Sequence, residues 1–153
     1  LTQLKVSGGT AEKGGAIYSS SASLKLDNCV FDGNTATDGN DGAVWANGGS
    51  VTIVGGEFLG NNASRFGGAV HATESRLEFA DATVTDSVFS GNYAQSSGGA
   101  LCGGLMSNMS VNGCTFGNNT SEQDGSAISA SSMRLGGNTQ LEDNSANNRG
   151  GAV

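Results

Sequence analysis

The 153 residues contain 26 glycines, no proline, 6% aromatic and 14% charged residues, with a formal net charge of −7. Seven Lys and Arg spread singly provide no clustered basic patch, which excludes nucleic acid and anionic membrane surfaces as partners. No apolar run is long enough to span a bilayer, so the segment does not insert into a membrane by itself.

Taken in chain order, the sequence repeats one phrase. Its first half reads VSGGTA at Val6, FDGNTA at Phe31, FLGNNA at Phe58, FSGNYA at Phe89, FGNNTS at Phe116 and LEDNSA at Leu141, spaced by 25, 27, 31, 27 and 25 residues. Its second half reads GGAI from Gly14, DGAV from Asp41, GGAV from Gly67, GGAL from Gly98, GSAI from Gly125 and GGAV from Gly150. Two landmarks with nearly the same spacing and one shared long interval define a structural repeat.

Within each repeat the residues alternate with a period of two. Leu24 and Leu26 alternate with Lys25 and Asp27, Val51 and Ile53 with Thr52 and Val54; Val84 lies between Thr83 and Thr85, and Met109 and Val111 flank Ser110. Such alternation predicts short strands, and the Gly-Asn, Asp-Gly and Gly-Gly pairs between them predict turns. No segment has helical periodicity with a cap. Short strands in a repeat of 25–31 residues predict an all-β chain, a parallel β-helix. It would have about five full coils, with partial coils at both ends, stacked about 4.8 Å apart.

Equivalent residues then form columns. Phe31, Phe58, Phe89 and Phe116 make an aromatic spine; Ile17, Val44, Val70, Leu101, Ile128 and Val153 an aliphatic one. Asn34, Asn61, Asn92, Asn119 and Asn144 make an amide ladder, because a buried Asn must satisfy its side chain and a stack of them can do so mutually. Ala36, Ala63, Ala94 and Ala146 leave room for a corner, and the paired glycines permit positive φ at the next. Cys29 and Cys114 share a column but lie three coils, roughly 14 Å, apart, too far for a disulfide. With Cys102 they are expected to be unpaired, Cys29 and Cys114 packed as small apolar groups. Residues 1–153 form a single β-helix segment. Since Leu1 and Val153 both fall inside a repeat, it is expected to be part of a longer solenoid or a unit that stacks end to end.

The alternation of GGA(I/L/V) with FxxN along a Gly/Asn/Ser-rich chain resembles the repeats of the chlamydial polymorphic outer membrane proteins. Similar repeats occur in large surface β-helix proteins of other bacteria, algae and protists. The resemblance covers the whole chain. It implies a right-handed β-helix displayed outside the cell, with a non-catalytic structural or adhesive role as part of a fibre or passenger-like stalk. The implied partners are further copies or further length of the same solenoid, or a host or matrix surface protein or glycan. It implies no cofactor and no catalytic residues.

Parallel β-helices also carry polysaccharide lyases and hydrolases, whose chemistry needs carboxylates gathered on neighbouring coils. The outward columns Lys25–Thr52–Thr83–Ser110 and Asp27–Val54–Thr85–Asn112 hold no such pair, and Asp81 and Asp86 with Arg76 show no motif spacing. The chain is therefore read as not an enzyme. Residues 38–42, Asp-Gly-Asn-Asp-Gly, lack the spacing and the distant bidentate Glu of a Ca²⁺ loop, so no metal is expected. A threonine array of the ice-binding kind would be interrupted by Lys25, Asp27 and Asn112.

Recognition is expected elsewhere. The residues after the aliphatic column are Tyr18, Trp45, His71, Cys102 and Ser129. If the aliphatic column points in, Tyr18, Trp45 and His71 form an exposed ladder able to stack on sugar rings or anchor a protein, which makes a carbohydrate-binding surface the alternative reading. The third coil carries about five extra residues within 72–85, a second place where binding could sit. Sequons occur at Asn62, Asn108, Asn118 and Asn119; the last is a ladder position, leaving Asn62, Asn108 and Asn118 as candidate glycosylation sites.

Overall fold

A computed structural model describes residues 1–38, 42–73, 81–104 and 108–153, with the backbone only for 81–83. These residues form an all-β parallel solenoid of about five turns, and no helix occurs among them.

Each coil passes through four parallel sheets. The first sheet contains Ile17–Ser20, Val44–Asn47, Val70–Thr73, Leu101–Gly103 and Ile128–Ser129. The second contains Leu24–Asp27, Ser50–Val54, Asp81–Thr85, Asn108–Asn112 and Ser132–Gly136. The third contains Lys5–Ser7, Val30–Asp32, Glu57–Leu59, Val88–Ser90, Thr115–Gly117 and Gln140–Glu142. The fourth consists of two-residue strands, Thr10–Ala11, Thr35–Ala36, Asn62–Ala63, Tyr93–Ala94, Thr120–Ser121 and Ser145–Ala146.

The register is that of the repeat. Val6, Phe31, Phe58, Phe89, Phe116 and Leu141 pair across successive coils. The four Phe rings are fully buried, with centroids 4.9, 4.8 and 4.8 Å apart and interplanar angles of 14°, 7° and 4°. Burial of each ring contributes roughly 1.5–3 kcal/mol. The aliphatic column Ile17–Val44–Val70–Leu101–Ile128 faces this spine across the core, with Leu26, Ile53, Val84 and Val111 on the second sheet closing the cross-section.

The amide ladder satisfies itself completely at each interior rung. Asn61 Oδ1 accepts from Asn34 N (2.9 Å) and Asn34 Nδ2 (3.0 Å). Asn61 Nδ2 in turn donates to Phe31 O (3.0 Å) and Asn92 Oδ1 (3.0 Å). Asn92 and Asn119 repeat the pattern, and Gly9 begins it with its N–H on Asn34 Oδ1 (2.9 Å). The residue before each rung must turn left-handed: Gly33, Gly60, Gly91, Asn118 and Asp143 have φ of 61°, 56°, 64°, 55° and 52°. Asn and Asp are the non-glycine residues that tolerate that conformation best.

The three cysteines are free and buried. The column holding Cys29 and Cys114 is more than a small apolar slot. Gly56, Ser87 and Thr139 share it, and its X–H groups donate to carbonyls two or three residues back. Ser87 Oγ lies 2.7 Å from Thr85 O, Thr139 Oγ1 2.6 Å from Gly136 O, Cys114 Sγ 3.4 Å from Asn112 O and Cys29 Sγ 3.5 Å from Asp27 O. Burial pushes the Cys114 thiol above its ordinary pKa, so it stays protonated as a donor.

Candidate recognition surface

The outer face of the first sheet brings together the residues expected there. Tyr18, Trp45, His71, Cys102 and Ser129 are paired in register on five successive coils. The expected open ladder is nevertheless mostly covered. Tyr18 is 53% exposed, whereas Trp45, His71 and Cys102 keep 7%, 6% and 6% of their surface.

The cover has a local cause. The first residue of each glycine pair turns with positive φ, 57° at Gly14 and at Gly67. A Cβ on Gly14 would stand 2.1 Å from Ile17 O, and one on Gly67 2.4 Å from Val70 O, so the turn lies directly on the start of the next strand. The residue just before the pair is thereby carried over the outward column. Lys13 Nζ sits 5.1 Å from the Trp45 ring centroid, and the Phe66 ring lies 5.6 Å from His71, tilted by 48°. Arg65 in turn stands 5.2 Å over Phe66.

The face therefore divides. At the His71 end, Phe66 and Arg65 close the surface. At the other end the Tyr18 ring rests on Trp45 with centroids 4.8 Å apart and planes tilted by 37°. Trp45 also has the one buried side-chain polar atom without a hydrogen-bond partner among the described residues, its indole Nε1. An unpaired buried donor costs about 1–3 kcal/mol. Lys13 is exposed and has no ion pair among the described residues, so it is held over the ring by a cation–π contact of about 0.5–1 kcal/mol.

In register on the second sheet lie Lys25–Thr52–Thr83–Ser110–Arg134 and Asp27–Val54–Thr85–Asn112–Gly136, as the repeat predicts. Neither brings carboxylates onto neighbouring coils. No group of three or more His, Cys, Asp or Glu is placed to hold a metal among the described residues. Arg76, with the rest of residues 74–80 in the 72–85 stretch, and residues 39–41 of the Asp-Gly-rich stretch lie outside the described residues.

Asn62, Asn108 and Asn118 are exposed, and Asn119 is fully buried in the ladder. On the fourth sheet the outward column Thr10–Thr35–Asn62–Tyr93–Thr120–Ser145 was not singled out from sequence. There Tyr93 Oη donates to Glu122 Oε1 at 2.5 Å, and that bond pushes the phenol pKa up to about 12.

The family model for right-handed β-helix regions matches residues 10–153. The chain belongs to the right-handed β-helix family. The match supplies the hand of the solenoid and covers five of the six Phe-column positions, all but Val6. It is made at the level of the right-handed β-helix and does not single out the chlamydial repeat type. No curated protein and no solved structure matches the chain.

Proposed function

We propose that this right-handed β-helix is a non-catalytic structural and adhesive module that works outside the cell or at its surface. It would serve as part of a fibre or passenger-like stalk, as its resemblance to the chlamydial surface repeats implies. The observation that carries the reading is the division of labour between columns. Phe31 to Phe116 and Asn34 to Asn144 repeat without a break and bind coil to coil, which makes a stiff rod. The outer face of the first sheet, in contrast, changes residue at every coil, as a surface shaped for a particular partner would. The partner would be another solenoid segment, or a protein or glycan of a host or matrix surface. Exposed Asn62, Asn108 and Asn118 would accept glycans in a eukaryotic secretory pathway.

The test is adhesion under flow. Beads coated with the protein should be retained on cell monolayers or matrix-coated glass, and the same preparation should release no sugar from polygalacturonate, pectin or xylan. Beads that wash off every surface, with release of reducing ends from one of the polymers, would replace this reading with the lyase or hydrolase one.

A further inference from the structure

We propose that Tyr18, Trp45 and Lys13 form a subsite for one pyranose ring of an uncharged glycan. The inference rests on the reading of this outer face as a recognition surface and narrows it to one end of that face.

Three independent features meet here. Tyr18 offers a half-exposed aromatic ring, supported from beneath by Trp45 at 4.8 Å, so the platform is already in place before a ligand arrives. The Trp45 indole N–H is buried without an acceptor among the described residues. Lys13 places a second donor, its ammonium, 5.1 Å from the same indole.

A ligand that uses all three needs an apolar face ringed by acceptors. A pyranose has that form: its axial C–H groups stack on Tyr18, and hydroxyl oxygens at its rim accept from Trp45 Nε1 and Lys13 Nζ. A planar hydrocarbon ring would cover Tyr18 and leave both donors unmet. A polyanion would satisfy Lys13 but would approach a chain of net charge −7. On entry of the sugar the exposed Lys13 side chain would swing from the indole face to the ligand, and Trp45 Nε1, buried in the free chain, would be uncovered at its rim. His71 is outside the subsite, because Phe66 covers it.

Trp45 is the sole tryptophan of the chain, so its emission reads the site directly. The intact chain is titrated with cellotetraose, laminaritetraose, mannotetraose, triacetylchitotriose and, as the anionic comparison, trigalacturonate. One neutral probe should shift or quench the emission and saturate below about 10 mM. Tyr18→Ala should weaken that binding by about tenfold or more, and Lys13→Ala by a smaller factor, both with the fold retained and the thermal midpoint lowered by no more than about 5 °C. Trp45→Phe, followed by calorimetry, should retain stacking and lose about tenfold through the missing donor. His71→Ala should bind as the parent does. The proposal is overturned if no neutral probe saturates, if trigalacturonate alone binds, or if Tyr18→Ala binds as tightly as the parent. Running the bead assay on the same parent preparation separates the two readings: retention without any glycan response sinks the subsite and leaves the adhesive module standing. Glycan binding without retention does the reverse.

Discussion

The amide ladder and the outer column of the first sheet are built on the same coils, yet they follow opposite rules. In the ladder the same side chain recurs, every polar atom of an interior rung has a partner, and each rung is interchangeable with the next. In the outer column Tyr18, Trp45, His71, Cys102 and Ser129 differ at every step, and one buried donor has no partner among the described residues. A solenoid needs identity where coils bond to each other, because each coil sees only its neighbours. Where the coil faces outward that requirement lapses, and the residues are free to serve something else.

The contrast can be broken most severely from the ladder side. Asn92→Ala removes the acceptor of Asn61 N (3.0 Å) and Asn61 Nδ2 (3.0 Å) and the donors to Phe58 O and Asn119 Oδ1. Several buried groups lose partners at once, so a loss of about 5 kcal/mol is expected in urea unfolding. A loss below about 1 kcal/mol would mean that the ladder is not what holds the coils in register. Phe89→Ala, in the centre of the aromatic spine, should cost about 3–5 kcal/mol in the same measurement.

A milder test lies on the fourth sheet. Tyr93 and Glu122 belong to neighbouring coils, and their bond raises the phenol from 10.0 to about 12. A folded-state pKa above the unfolded value means the bond supports folding below pH 10. That support declines as pH rises toward about 12. Glu122→Gln should return the Tyr93 titration toward 10, read as phenolate absorbance in a Tyr18→Phe background, since the chain has only two tyrosines. A titration unmoved by Glu122→Gln would assign the shift to burial instead.

The coil-to-coil bonds were legible in the sequence because the repeat itself aligns them. Phe31 with Phe58, or Asn34 with Asn61, can be paired by counting. The two-residue strands of the fourth sheet were not, since two residues carry no alternation. The hydrogen-bonding role of the Cys29–Ser87–Cys114–Thr139 column also escaped a reading that treated cysteine as a small apolar group. At the recognition surface the register of Tyr18, Trp45 and His71 followed from the repeat, but their exposure did not. Exposure depends on Lys13 and Phe66, which stand immediately before a glycine pair and fold over the adjacent strand. The signal was present: those two positions hold long or bulky side chains just ahead of a left-handed turn.

The smallest effect is the one that separates the two columns most cleanly. Removing a polar group from the ladder leaves partners stranded; removing the Trp45 indole N–H strands none among the described residues, where it has none. Trp45→Phe keeps an aromatic ring under Tyr18 and eliminates the cost of an unpaired donor, against some loss of buried area. The two terms are of similar size and opposite sign, so stability should change by less than about 1 kcal/mol, compared with about 5 kcal/mol for Asn92→Ala. Denaturation midpoints of the two variants, measured side by side, decide it. A Trp45→Phe loss as large as that of the ladder variant would mean that the indole N–H is tied into the scaffold. Near-neutrality would place Trp45 among the residues that the fold can spare for recognition.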